Sequence, residues 1–184
     1  IYNYFPTKEH IPLFFFEQAL ERVQQRFPEE RQDGMAFEEE VFLLITLQLE
    51  EVEPYQDFLH LMVAQAASPS SRLNLLSLEV QRLKRRYLDF VTDLASAAQD
   101  RDELPRLGFD SLLLNGFWAF QLGLLLFWLN DESAKKEDTF VLLDRSLRFT
   151  LDALRRGTAE GAEAVARLAG AGMPADPTQD PVDG

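Results

Sequence analysis

Residues 112–129 form an apolar run that restricts the possible folds of this chain more than any other segment does. Only Asn115, Gly116, Gln121 and Gly123 interrupt the run. A helix that is apolar on every side must either be buried on every side or cross a membrane, for which about 20 residues suffice. The polar side chains inside the run and the amphipathic segments around it argue against a membrane span. We therefore predict a helix that is buried on all sides, either with one face in the core or a cavity of its own subunit and the other against a second subunit, or wholly in the large core of a monomer.

The remaining segments repeat their apolar residues with the period of an α-helix. In the first of them, Phe16, Leu20, Val23 and Phe27 form a single stripe. Breaks rich in proline, glycine and charged residues separate the segments, and no segment alternates as a strand does. The pattern predicts an all-α protein, a helical bundle of about six main helices. The predicted helices span residues 8–27, 36–51, 54–67, 71–99, 109–130 and 136–156, the last of them ended by Gly157.

The length and charge of the chain limit its possible functions. A chain of 184 residues suits one domain with a sizeable core. Its net charge of −13 is opposite to that of a nucleic-acid-binding surface, which needs lysine and arginine to contact phosphates. The basic run 82–86 does not change this conclusion, because acidic residues lie at pairing distance along the same helix. No signal peptide is recognisable, so we expect a cytoplasmic protein.

The sequence offers little for catalysis or for a metal centre. It has no cysteine, no glycine-framed serine and only two histidines. Asp57 and His60 are spaced like the Glu-x-x-His element of di-iron bundles, but His10 has no partner at that spacing. We therefore predict a protein that is not an enzyme and that has no metal or other cofactor.

A short aromatic pattern, YNYFPTKE at residues 2–9, opens the chain. It resembles the junction between the DNA-binding segment and the linker helix in the TetR (tetracycline-repressor-like) family of bacterial transcription regulators. The resemblance implies an upstream basic helix-turn-helix domain, so operator DNA remains a partner in spite of the acidic charge. It also implies a division into the end of the recognition helix at 1–7, the linker helix at 8–27, a ligand-binding and dimerisation domain at 28–157, and a short helix with a tail at 158–184. Pro12 departs from the usual pattern of the linker helix.

The same resemblance implies roles for particular residues. Tyr2 and Lys8 match positions that contact the phosphate backbone of DNA in the family. The last two major helices of the family pair with those of a second subunit, which implies a homodimer here. The implied interface consists of Leu124, Phe127, Trp128, Phe140, Leu143, Leu147, Leu151 and Leu154.

The many large aromatic residues, with 15 phenylalanines among them, favour a cavity in the domain where the family binds its effectors. A cavity lined by aromatic residues, a flexible methionine side chain and a few polar groups suits the binding of a largely apolar small molecule. The predicted lining is Phe14, Phe15, Phe42, Phe58, His60, Met62, Tyr87, Phe90, Asn115, Phe117, Trp118, Phe120 and Gln121.

These features together predict a ligand-responsive DNA-binding regulator, expected to be a repressor, that forms homodimers in the cytoplasm and has no membrane association. Two alternatives stay open from the sequence. One is a stand-alone helical carrier or sensor of hydrophobic small molecules that does not bind DNA. The other is an enzyme with its site in a helical bundle.

Overall fold

The computed structural model describes residues 10–66, 77–106 and 111–171, which fold into helices joined by short loops. The α-helices are α1 (His10–Glu30), α2 (Phe37–Val52), α3 (Gln56–Ala66), α4 (Leu78–Asp100), α5 (Ser111–Asn130) and α6 (Glu137–Ala171). Short 3-10 turns, Glu53–Tyr55 and Ala134–Lys136, precede α3 and α6. No strand occurs within the described ranges, and the prediction of an all-α bundle is confirmed.

Two helices extend beyond their predicted ends. α1 continues through Pro28 to Glu30, and α6 continues through Gly157 to Ala171. Residues 158–169 are rich in alanine and other strong helix formers, which offset the cost of about 1 kcal/mol for a glycine inside a helix. Pro12 lies near the described start of α1. The predicted helix starts at residues 8, 71 and 109 lie outside the described residues.

α2 lies at the centre of the fold and is buried on two sides. Leu44 on one side packs with residues of α1 and α4, including Tyr87. Ile45 on the other side packs with residues of α5 and α6, including Trp128 and Leu143. Residues 41–49 are apolar at nearly every position, which is what a helix between two clusters requires.

A buried carboxylate joins three parts of the chain at the start of α2. Glu40 is fully buried and forms ion pairs with Arg31, at 2.5 Å, and with Arg101, at 2.9 Å. Arg101 also pairs with Glu103, whose carboxylate accepts a hydrogen bond from the backbone N–H of Phe37 at 2.5 Å. The start of α2 is thereby fixed both to the end of α1 and to the loop that follows α4.

Further ion pairs fix the second half of α1 to the end of α2. Arg22 contacts Glu51 at 2.6 Å, and Arg26 contacts Glu50 at 2.8 Å and Glu51 at 3.0 Å. Burial raises the pKa of Glu51, but the hydrogen bonds from the two arginines outweigh this effect, and the net shift is downward. The first half of α1 has no such pairs to α2 among the described residues.

Asp131 fixes the turn between α5 and α6. Its carboxylate accepts hydrogen bonds from the backbone N–H and the hydroxyl of Ser133, at 2.9 and 2.6 Å. It also accepts hydrogen bonds from the backbone N–H and the hydroxyl of Thr139, at 2.9 and 2.6 Å. The first of these bonds satisfies a backbone N–H in the first turn of α6 that has no partner within the helix. Burial alone would raise the pKa of Asp131, but these four hydrogen bonds outweigh it and hold the pKa well below its usual range.

We expect Asp131→Asn to lower the stability of the protein at neutral pH and to make the remaining stability less sensitive to acid. A carboxylate whose pKa is lower in the folded than in the unfolded chain stabilises the fold above its unfolded pKa, about 3.9, and this stabilisation is lost as the pH falls through the folded pKa. The urea midpoints of variant and wild type should therefore differ most at neutral pH and approach each other below about pH 4. A difference that stays constant into the acid range would contradict a stabilising role for the charge.

Candidate ligand-binding site

A cavity of about 210 Å³ lies among the first five helices. The longest part of its wall comes from α1, and α2, α3, α4 and α5 supply the rest. The α1 residues are Leu13, Phe16, Ala19, Leu20 and Val23. The wall is apolar apart from three side chains, Gln48, Tyr87 and Gln121. It can therefore bind an apolar molecule while offering a few polar contacts.

The three polar side chains are hydrogen-bonded to one another. The Tyr87 hydroxyl donates to Gln48 Oε1 at 3.3 Å, and Gln121 Nε2 donates to the same oxygen at 2.8 Å. Gln121 Oε1 is buried and accepts no hydrogen bond from the described residues. An unpaired buried acceptor costs about 1–3 kcal/mol, so this group contains one unsatisfied polar atom, which has almost no accessible surface.

No charged side chain lines the cavity among the residues that the structure describes. Burial raises the pKa of Tyr87, and the hydrogen bond to Gln48, which acts in the opposite direction, does not offset that effect. Tyr87 therefore stays un-ionised at physiological pH. The site is polar at one end without carrying a charge.

The structure places Met62, Tyr87, Trp118 and Gln121 of the predicted lining in the cavity wall. Other predicted aromatics pack on one another instead. The ring pairs are Phe15 with Phe58, Phe42 with Phe140, Phe90 with Phe27, and Phe117 with both Tyr87 and Phe120. Periodicity identifies apolar positions, but it does not show which of them face a space and which face another ring.

Three predicted lining residues lie at the surface rather than at the cavity. Phe14 is 48% exposed, and His60 is also exposed. Asn115 accepts a hydrogen bond from the ammonium group of Lys84 at 2.5 Å on the outside of the bundle. These residues are therefore removed from the candidate site.

The sequence prediction omitted Gln48 and the α1 wall. Gln48 lies between the buried residues Leu47 and Leu49, and a polar side chain inside such a run is a signal that sequence reasoning could have used. The stripe that contains Phe16 and Leu20 was visible in the sequence. A stripe has the same pattern whether it contacts other side chains or a cavity.

The residues predicted for the dimer interface lie mostly in the core of their own subunit. Leu124, Trp128, Leu143, Leu147 and Leu151 are buried there, Phe140 and Leu154 are half-buried, and Phe127 is exposed. The regular stripe of α6 faces inward because it packs against α2 and α5. The interface prediction is therefore corrected, since the most regular apolar stripe of a helix marks its buried side.

A different set of residues forms the outer side of these two helices, which we call the α5–α6 face. Its members are Gly116, Ala119, Gly123, Leu126 and Phe127 of α5, and Val141, Leu142 and Phe149 of α6. All of them are exposed, and Phe149 is 71% exposed. A Cβ atom at either glycine would meet no atom within 4 Å.

Only 17% of the residues from Leu113 to Asn130 are buried, although this segment is the most apolar helix that the structure describes. By length and composition alone, it is also the one described helix that could cross a membrane. Within the described part of the subunit, one side of α5 is thus left exposed.

Some predictions fall outside the described residues or concern metals. Tyr2 and Lys8 lie outside those residues, so their contacts with DNA stay predictions. Within the described part of the chain, no three acidic or histidine side chains are grouped so that they could hold a metal ion. Asp57 and His60 are both exposed.

Comparison with known protein families gives a match. The sequence model of a family described as "Tetracyclin repressor-like, C-terminal domain" matches residues 41–168. No curated protein matches the chain. The matched range contains all of the cavity wall outside α1 and the whole α5–α6 face. The chain belongs to the tetracycline repressor-like C-terminal domain family, a family of ligand-responsive transcriptional regulators.

Proposed function

We propose that this chain is the sensing and dimerising part of a bacterial transcriptional repressor that binds a largely apolar small molecule in the cavity. The observation that carries the proposal is the contribution of α1 to the cavity wall, from Leu13 to Val23. In the family, the corresponding helix connects the DNA-binding domain to the body of the protein. A molecule in the cavity therefore contacts the helix that positions the DNA-binding domain.

Operator DNA would be bound by a helix-turn-helix domain that precedes this helix. The pattern at residues 2–9 supports this assignment, with Tyr2 and Lys8 contacting phosphates. The net charge of −13 is compatible with it, because the basic residues that bind DNA would belong to the other domain. We expect the protein to act in the cytoplasm.

The second subunit of a homodimer would cover the α5–α6 face. Exposed apolar residues on both helices support this proposal, since a soluble subunit rarely leaves such a surface uncovered. Gly116 and Gly123 would allow the backbone of a partner helix to approach closely, because the distance between packed helices depends on the side chains at the contact. A two-fold dimer is also the commonest arrangement among soluble homo-oligomers.

The regulation follows from linkage between the two sites. If the cavity binds its ligand best in a dimer whose DNA-binding domains are wrongly spaced for the operator, the ligand weakens DNA binding. The operator then weakens ligand binding by the same factor, which is typically about 5- to 150-fold in allosteric proteins.

The test uses the full-length protein and a DNA fragment that has been selected for binding to that protein. Small apolar molecules that change the fluorescence of Trp118, which lies in the cavity wall, are added, and operator affinity is measured by fluorescence anisotropy. We expect ligands that bind the cavity to lower operator affinity by roughly 5-fold or more. Ala19→Met, which places a larger side chain in the cavity wall, should preserve DNA binding and abolish the response to ligand.

Ala97→Met provides the matched control, because Ala97 is exposed on α4 and lies outside the cavity wall. It should respond to ligand as the wild type does. A full-length protein that binds these ligands but no DNA would be a carrier instead. A ligand that fills the cavity and leaves operator affinity unchanged would refute the coupling.

A further inference from the structure

We propose that ligands enter the cavity between the end of α3 and the start of α4, past Val63, and that this side chain sets the rate of ligand exchange rather than the affinity. The inference rests on the proposed function, because it takes the cavity as the ligand site. It adds the route to that site, which the family assignment does not give.

The two ends of the cavity differ in the packing around them. At one end, Val23 and Tyr87 belong to the large cluster that α1 and α4 form with α2. At the other end, Leu13, Met62 and Val80 form a small cluster of three buried residues, one each from α1, α3 and α4. The wall is thinner at this second end, because few buried residues surround it.

Val63 follows Met62 in α3 and lies at the thin end of the wall. Among the described residues that line the cavity, only Val63 is exposed. It is 37% exposed, whereas Met62 is 6% exposed. A side chain that borders both the cavity and solvent marks a place where the wall is one residue thick. An incoming molecule has to displace a single valine side chain there.

α3 is held by apolar contacts, and its aromatic contacts lie at its start. Phe15 of α1 packs against Tyr55, in the turn before α3, and against Phe58, with ring centroids 4.8 and 5.5 Å apart. No side-chain hydrogen bond or ion pair joins α3 to another described helix. α1 and α2, by contrast, are joined by the ion pairs of Arg22 and Arg26. A movement of the second half of α3 that admits a ligand would therefore break no polar contact that the structure describes.

The entrance and the inner wall contribute to different quantities. A bound molecule gains affinity from the apolar surface that it buries inside the cavity. The entrance adds to a barrier that the molecule crosses both on entry and on exit, as in binding that requires a conformational change. A substitution at the entrance therefore changes the association and dissociation rate constants by the same factor. Their ratio, the dissociation constant, stays unchanged.

The test uses the full-length protein and 4-fluorotoluene as the probe. A cavity of about 150 Å³ accommodates benzene, so the cavity of about 210 Å³ has room for this slightly larger molecule. Fluorine NMR line shapes give its dissociation rate constant, and a titration gives its dissociation constant. Val63→Ala should raise both rate constants by about 5-fold or more and change the dissociation constant by less than about 2-fold. Val63→Ile should lower both rate constants.

Leu61→Ala is the matched control. Leu61 also lies on α3 and is 55% exposed, but it does not line the cavity, so its truncation should leave both rate constants unchanged. Equal effects of Val63→Ala and Leu61→Ala would overturn the inference, since the whole helix would then respond.

The remaining outcomes separate this inference from the proposed function. If Val63→Ala changes the dissociation constant without changing the association rate constant, Val63 is only a wall residue. Unchanged rate constants in both Val63 variants would place the entrance elsewhere. In either case the inference fails while the cavity stays a ligand site. If the probe does not bind to the wild type, the assignment of the cavity as the ligand site fails together with the inference.

Discussion

Phe149→Glu is expected to convert the proposed dimer into a folded monomer. Phe149 is 71% exposed in the subunit, so a charge there should leave the fold intact. In a two-fold interface each substitution occurs twice, and two carboxylates would be buried without partners. We expect the dimer dissociation constant to rise by about 100-fold or more, which corresponds to about 3 kcal/mol. Sedimentation velocity at micromolar concentration measures the change, and circular dichroism confirms that the helices are retained.

Leu78→Glu is the control for a charge at an exposed apolar position. Leu78 is 75% exposed and begins α4, away from the α5–α6 face, so this variant should stay dimeric. A Phe149→Glu protein that remains a dimer would refute the proposed interface. Leu147→Glu has a different expected result, since Leu147 is only 8% exposed in its own subunit. It should unfold the subunit rather than separate two folded ones.

The glycines give a second test of the same face that introduces no charge. Gly123→Leu should also dissociate the dimer, because the added side chain meets open space within the subunit but would stand between two helices that pack closely. Ala97→Leu is the control, because Ala97 is exposed on α4 rather than on α5 or α6. It adds a side chain of the same size outside the α5–α6 face and should leave the dimer unchanged.

Glu40→Gln is expected to cause the largest loss of stability among the isosteric substitutions considered. The carboxylate is fully buried and pairs with Arg31 and Arg101. Removal of one member of a buried ion pair costs about 3–5 kcal/mol. The side chains of the two arginines are 40% and 34% exposed, so water can solvate them after the substitution, and we expect a smaller loss of about 2–3 kcal/mol. For a chain of this size the melting temperature should fall by about 4–12 °C.

Glu50→Gln provides the comparison. Glu50 also pairs with an arginine, Arg26, at 2.8 Å, but its side chain is 49% exposed. Exposed ion pairs contribute about 0–1 kcal/mol, so this variant should melt within a few degrees of the wild type. Equal losses for the two variants, measured by urea unfolding at pH 7, would show that burial does not decide the contribution of Glu40.

The sequence predicted the fold better than it predicted the site, and particular residues show why. The helical period depends on neighbours within one helix, so the stripe through Phe16 and Leu20 was sufficient to predict α1. The cavity depends on how five helices diverge, and no local pattern records that separation. Gln48 was recognisable as a polar residue in an apolar run, but its partners, Tyr87 and Gln121, lie 39 and 73 residues away in the sequence.

The prediction made from the apolar run in α5 was incomplete for a similar reason. Its all-round hydrophobicity predicted a helix with two covered faces, and the subunit covers one of them through Leu124 and Trp128. The sequence did not show which residues of α5 face outward, because the inner and outer sides of this helix are both apolar. On α6 the stripe was clear, yet its members, such as Leu143, face the core. The exposed Phe149 lies off that stripe and could be assigned only from the packed structure.

The arrangement of α1 also has a mechanical consequence. Its second half is tied to α2 through Arg22 and Arg26, and Arg31, directly after α1, pairs with Glu40 of α2, whereas the first half of α1 borders the cavity. A ligand that pushes against Phe16 acts about 9 Å from the tie at Arg22, and His10 lies about 18 Å from the same point at 1.5 Å per residue. α1 would then behave as a lever with its fulcrum near Arg22. A displacement of about 1 Å at Phe16 would become about 2 Å at His10, and more at any domain attached beyond it.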